Sequence, residues 1–309
     1  MIPALLTALL FAFSAIFSQR AARLFGPLRA NAIRLTLACL MLGLLTWLID
    51  AIRHQPSLYG AVFPALFLSG AVGFGLGDVG LFLAYPRLGA RLTILINFSL
   101  GTLFAAWGDH WLLGEHLTLP QWSGVALVLT GLGVALWPAR NPAGEFARAS
   151  WSGLGCAVLA GAGQGFGTTL SGWANRIAEQ QQVTIHGLSQ AFQRSTAGVL
   201  TAVLVWAVWQ YGFKKPVAAP NPPDKKPRRQ HPLFWMAGAS LFGPVIGVSC
   251  YQWARLHLPS AVVVAIAATS TLWVIPLAKF IDKDHPTLRQ VAGTVVAVAG
   301  IAVLALVRA

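Results

Sequence analysis

Leu113-Gly-Glu-His-Leu-Thr-Leu-Pro-Gln-Trp-Ser-Gly124 leads into one apolar stretch, and Asp284-His-Pro-Thr-Leu-Arg-Gln-Val-Ala-Gly293 leads into another. Glu115, Thr118, Gln121, Gly124 and Gly131 recur as Asp284, Thr287, Gln290, Gly293 and Gly300, each displaced by 169 positions. Self-similarity at one fixed displacement marks a duplicated chain. Thr-x-x-Gln ahead of an apolar run is a capping box, in which the two side chains satisfy backbone N–H groups that the first helical turn leaves without partners. Glycines seven apart lie on one helix face, where their size lets another helix approach closely. An acid at Glu115 or Asp284 suits a helix N-terminus. The repeated motif is therefore read as structural, a matched entry to two equivalent helices.

Composition sets the solvent of those helices. The chain of 309 residues is 56% hydrophobic and only 10% charged, with a mean hydropathy of +0.65, whereas soluble domains are about a quarter charged. Its 22 Lys and Arg against 9 Asp and Glu would suggest nucleic acid in a soluble protein. Here the cations fall between apolar spans, the pattern of a chain threaded through a lipid bilayer.

Ten spans have the length needed to cross the hydrocarbon core as helices, approximately 2–18, 30–52, 61–84, 92–107, 120–137, 151–173, 187–210, 233–254, 260–281 and 287–307. No strand-period alternation competes with them. Residues 2–18 lack the basic flank and small-residue cleavage site of a signal peptide, and they complete the first copy. Leu28-Arg-Ala-Asn-Ala-Ile-Arg34 resembles Leu188-Ser-Gln-Ala-Phe-Gln-Arg194, and Gly73, Gly77, Ala84 and Leu88 match Gly243, Gly247, Ala254 and Leu258. The expected architecture is all-α: a first five-helix repeat over 1–138, a linker over 139–150 and a second repeat over 151–309. Because five is odd, the second copy enters the membrane from the opposite side, giving the inverted repeats found in many secondary transporters.

Sixteen of the Lys and Arg residues follow odd-numbered spans, six of them in the Pro-rich loop 211–232, and four follow even-numbered spans. That bias places the long basic loop in the cytoplasm and both termini outside. Cys39, Cys156 and Cys250 all fall within spans and read as packing residues rather than disulfide partners. Trp107, Trp137, Trp151 and Trp173 sit at span ends, as an interfacial aromatic belt requires.

Asp78 is the one acid set well inside a span. An intramembrane carboxylate costs about 2.5–3.5 kcal/mol on insertion scales, so it must face the bundle interior or water. There it is a candidate for reversible protonation coupled to transport, or for a structural pair with an arginine such as Arg34. Tyr85 lies two turns beyond it. Asn97, Gln164, Thr168, Tyr251, Gln252, Thr269 and Ser270 are further polar groups within spans that can line a pocket or bridge helices, and Trp273 is an aromatic pocket candidate. Arg34 and Arg194 match a carboxylate geometrically, but their places near span starts also allow the side chains to snorkel toward water. Gly70, Gly73, Gly77 and Gly80, and Gly161, Gly163, Gly165 and Gly167, form two small-residue stripes.

Ten spans in two repeats, the acid and Thr-x-x-Gln-x-x-Gly before the fifth and tenth, and an Arg early in the second and seventh resemble the drug/metabolite transporter superfamily, in particular its EamA-type members. The resemblance covers essentially the whole chain. It implies a cofactor-free carrier that moves small metabolites by alternating access, often amino acids or aromatic compounds travelling outward across a bacterial inner membrane, with protons as a possible coupling ion. Members are commonly drawn with both termini cytoplasmic, opposite to the charge bias here, and Lys283-Asp284-His285-Pro286 departs from the usual Gly-Glu pair. The other classes to weigh are a membrane-embedded enzyme and a non-transporting scaffold. All seven histidines fall in loops or at span ends, and no metal-ligand spacing, nucleophile-base set or phosphate-binding glycine loop accompanies them.

Overall fold

The computed structural model describes residues 2–53, 60–114, 118–136, 150–212, 231–257, 263, 266–281 and 286–306. Glu115, Asp284, Trp137, the expected linker short of Ser150 and the six cations of the long loop lie outside the described residues. All regular structure among the described residues is helical: α1 (Ile2–Phe25), α2 (Pro27–Arg53), α3 (Val62–Gly70), a π-helical segment (Ala71–Gly77), α4 (Asp78–Leu113), α5 (Leu119–Leu136), α6 (Trp151–Gln180), α7 (Gly187–Gly212), α8 (Pro232–Ser240), a second π-helical segment (Leu241–Val245), α9 (Ile246–His257), α10 (Ser270–Ile281) and α11 (Leu288–Leu306). Each of the ten expected spans is helical over most of its described residues.

Local chemistry explains the ends. At α5 the Thr118 N–H donates to Gln121 Oε1 at 2.6 Å. At α11 the box is reciprocal, with Thr287 N–H donating to Gln290 Oε1 at 3.0 Å and Gln290 N–H to the Thr287 hydroxyl at 3.4 Å. Ser150 caps α6 by accepting from Gly153 N–H at 3.3 Å. Gly114 ends α4 in the left-handed region at φ 68°, a backbone shape that glycine adopts without a Cβ penalty.

The third and fourth spans were expected to be separated by a loop, yet helix runs through Val62–Leu113 with a single break at Gly89, at φ 78° and ψ 165°. Pro86 and the unusual glycine dihedrals reverse the chain there, and Gln19 on α1 accepts the freed Ala90 N–H at 2.7 Å. The reversal is legible from α6. Gly73 and Gly77 approach Gly167 and Gly163 in descending order, whereas Gly101 and Gly108 approach Gln164 and Thr169 in ascending order.

Contacts between the copies are exchanged in kind. α6 lies in the hairpin formed by α3, the first π segment and α4; α1 lies against α8, the second π segment, α9 and α10. α2 pairs with α7, and α5 with α11, each helix with its own counterpart. The glycines of the repeated motif meet at the last crossing. A Cβ on Gly131 would sit 2.7 Å from Gly293 O, and one on Gly300 would sit 2.8 Å from Gly124 O. The two stripes also face one another: a Cβ on Gly163 would lie 2.4 Å from Gly77 Cα, and one on Gly167 would lie 2.9 Å from Gly73 Cα. The matching α1 contact is filled instead by Phe11, Ser14 and Phe17 against Gly247, Gly243 and Gly238.

Arginine caps obey the same exchange. Arg20 at the end of α1 donates to Ile281 O of α10 at 2.6 Å, and Arg176 near the end of α6 donates to Leu113 O of α4 at 3.1 Å. Outward-facing apolar side chains such as Leu40, Leu44 and Trp47 on α2, and Leu200 and Leu204 on α7, give the bundle an exterior suited to lipid. Trp107, Trp151 and Trp173 are also exposed.

Candidate functional site

Asp78 follows directly on the first π segment. A π turn widens the helix and shifts its register, and such turns cluster at functional sites. Here the shift delivers a carboxylate to α2, where Arg34 donates through Nη2 to Asp78 Oδ2 and to Asn31 Oδ1, the latter at 3.2 Å. The Arg34 guanidinium also lies 4.9 Å from the Phe82 ring centroid. The Asp78 side chain keeps 14% of its surface accessible and that of Arg34 keeps 6%. Arg34 therefore does not snorkel. The ion pair, the amide of Asn31 and the ring of Phe82 hold it inside.

Arg194 is buried as well. Its guanidinium lies 4.9 Å from the Phe74 ring centroid on the π segment, and Asp78 feels its charge. Glycine makes both positions possible. A Cβ on Gly73 would fall 3.0 Å from Arg194 Nη2, and a Cβ on Gly243 would fall 3.4 Å from Arg34 Nη1. Each arginine thus occupies the groove opened by the π segment of the other repeat. Snorkelling is corrected for both, because each π segment offers an interior slot that a short span-end position does not reveal in sequence.

The remaining candidates divide into groups. Tyr85 and Tyr251 are buried in one apolar cluster that also holds Phe82, Phe98, Val263 and Ala267. Tyr85 meets Phe82 edge to face at 5.7 Å, and Phe11 links Phe98 to Tyr251 at 6.1 and 6.3 Å. Asn97, Gln164 and Thr168 belong to the α4–α6 crossing: the Asn97 carbonyl and the Gln164 side chain press on Gly161 and Gly101, and the Thr168 hydroxyl donates to Gln164 O at 2.8 Å. Thr269 donates to Ile266 O at 2.6 Å, closing a turn ahead of α10. Gln252 and Ser270 are fully buried, and their side-chain polar atoms have no hydrogen-bond partner among the described residues. Trp273 is 51% exposed and joins none of these groups, so its place as a pocket aromatic is not supported by its position. Among the described residues no group of three or more His, Cys, Asp or Glu side chains is placed to hold a metal ion.

Asn31 and Phe74, which were not singled out in the sequence, and Phe82, expected there only as a helical neighbour of Asp78, complete the arginine sites. Asn31 precedes Arg34 by three residues, one helical turn on the same face, a signal that could have found it.

Residues 1–137 and 151–306 match the EamA-like transporter family. The chain belongs to that family. Membership makes it a multi-pass membrane transporter by family, built from two repeats in a lipid bilayer and acting on a small-molecule substrate. A solved crystal structure that is 18% identical covers 99% of this chain, and 96% of its own length is covered, at a TM-score of 0.59. At that identity the likeness concerns the fold alone. No curated protein shows significant similarity to the chain.

Proposed function

We propose that the protein is a secondary carrier that exports small metabolites, amino acids or aromatic compounds among them, across a bacterial inner membrane by alternating access. The observation that carries this reading is the exchange of helices between the copies, with Arg34, Asp78 and Arg194 enclosed where the two π segments meet the neighbouring repeat. Backbone-on-backbone contact ties α6 to α3 and α4, while α1 packs into α8, α9 and α10. The moving bodies in this reading are those two exchanged groups rather than the repeats themselves. Rocking of one against the other opens the charged centre to each side in turn, as inverted-repeat carriers do.

Asp78 is the coupling residue in this reading, passing between ionised and protonated forms during the transport cycle. Orientation follows the Lys and Arg bias, with both termini outside. Counterflow tests the carrier: protein in liposomes preloaded with unlabelled amino acid accumulates labelled amino acid and returns it chemically unchanged. Conversion of the label, or no exchange across a panel of amino acids and aromatic acids and amines, refutes it. A reporter fused after Ala309 that is active only in the cytoplasm refutes the orientation.

A further inference from the structure

We propose that Arg34 alternates between two carboxylates: the ionised side chain of Asp78 while the site is empty, and the carboxylate of a bound substrate once Asp78 has taken up a proton. This rests on the carrier reading and names its substrate class, an organic anion bearing a carboxylate.

Three observations support an anionic ligand over a cationic one. At the matched positions the two copies hold two buried arginines, Arg34 and Arg194, but one acid, since Asp78 stands one residue past Gly77 whereas the residue one past Gly247 is Val248. The polar atoms left over at the ion pair are both donors, Arg34 Nε and Asn31 Nδ2. The Asn31 amide orientation is fixed, because its Oδ1 accepts from Arg34. A buried guanidinium with one N–H still unpartnered, and an amide N–H2 on the side chain bonded to it, call for acceptor oxygens, which a carboxylate supplies in the planar arrangement that arginine matches. An ammonium group would bring a third cation to the same place and leave both donors unsatisfied.

The groups facing Asp78 are few. α2 contributes Arg34 and Asn31, α7 contributes Arg194, and α4 itself contributes Tyr85. α6 carries three titratable side chains, Cys156, Arg176 and Glu179, and it is the backbone of Cys156 that meets Gly80 beside Asp78. α1 carries no charged side chain before Arg20. The other acids of α2, α4 and α6 are Asp50, Asp109 and Glu179, each within five residues of a helix end, so Asp78 and the substrate compete for Arg34.

The step balances. A proton from the aqueous side open at that moment bonds to a carboxylate oxygen of Asp78, Arg34 releases that oxygen, and the substrate's oxygens accept from Arg34 Nη2 and Nε. One proton and one anion enter together, so the charge of the site is unchanged, and the two ligands raise each other's affinity by the same factor.

Proton uptake measures this directly. Purified full-length protein in weakly buffered detergent solution is mixed with phenylacetate, L-phenylalanine or phenethylamine while a pH dye and a calorimeter record the response. Phenylacetate binds with uptake of about one proton, its affinity falling about tenfold per pH unit above the range in which Asp78 is protonated; L-phenylalanine binds with the same uptake but more weakly, because its ammonium group adds a cation. Asp78→Asn binds both with no proton uptake and no such pH dependence; Arg34→Gln loses binding. Phenethylamine alone binding with proton release, carboxylate binding without proton uptake in the wild type, or no binding of any carboxylate probe overturns the proposal. Counterflow on the same preparation separates the two readings. Exchange of a substrate lacking a carboxylate leaves the carrier standing without this mechanism, and binding with proton uptake but no exchange leaves the site standing without the carrier.

Discussion

Replacing Gly131 by alanine tests whether the α5–α11 crossing is held by backbone contact. A Cβ there would lie 2.3 Å from Ala297 N and 2.7 Å from both Ala297 Cα and Gly293 O. None of these atoms is the end of a flexible side chain, so the helices themselves must part by about 1 Å to restore ordinary contact. A gap of about 0.5–1 Å forfeits a quarter to a half of each van der Waals well along the crossing, and such packing is what holds helices together in lipid. The expected loss is about 1–3 kcal/mol. Gly133 supplies the control, since it is exposed on the same helix and a Cβ there would meet nothing within 4 Å. Gly131→Ala and Gly133→Ala gain the same helix propensity, about 1 kcal/mol, so their difference isolates the clash. Unfolding by SDS in mixed micelles, followed by circular dichroism, reads that difference. Equal midpoints for the two variants would show that the helices do not cross on Gly131 and would refute the reasoning.

Arg34→Leu is expected to destabilise by about 3–5 kcal/mol, because it strands a buried carboxylate; Arg34→Leu combined with Asp78→Leu recovers most of that loss in the same SDS titration. Gln290→Ala removes the acceptor for Thr287 N–H and lowers stability by about 1 kcal/mol, with Gln121→Ala giving a similar loss at the matching cap, both read from thermal melts in detergent. Gly89 adopts backbone angles essentially reserved for glycine, so Gly89→Ala and Gly89→Asn both lower the melting temperature in detergent although a Cβ there meets no neighbour, and an unchanged melt for either refutes the reading.

The duplication was legible because its signals are local and chemical. Thr-x-x-Gln names a cap whose hydrogen bonds span three residues, and glycines seven apart name a face, so both readings survive without knowing the partner helix. The partners themselves were not legible. Nothing in the spacing of Gly70, Gly73, Gly77 and Gly80 says that α6 lies against them, or that Gly161 and Gly165 turn to α4 while Gly163 and Gly167 turn to the π segment. The inward course of Arg34 was hidden for a related reason. Sequence shows a cation near a span end, and only the one-residue register shift of Ala71–Gly77 brings Asp78 to meet it.

That shift also locates the asymmetry of the molecule. Both copies have a π segment at equivalent glycines, and both have an arginine seated on the glycine of the other copy. A strictly symmetric pair would respond identically to ligands from either side. Asp78 opposite Val248 breaks the equivalence at the residue that carries charge, and Phe11, Ser14 and Phe17 opposite the bare glycines of α6 break it in packing. Backbone contacts at α6 lack side chains that can change rotamer, whereas the α1 contact is made by aromatic rings and a hydroxyl that can. The contact at α6 is therefore the stiffer of the two, and Asp78 lies on the hairpin that makes it. In the proposed mechanism, a carboxylate held on that stiffer hairpin and an arginine brought to it by α2 make the one charged contact that a proton and a substrate anion govern together.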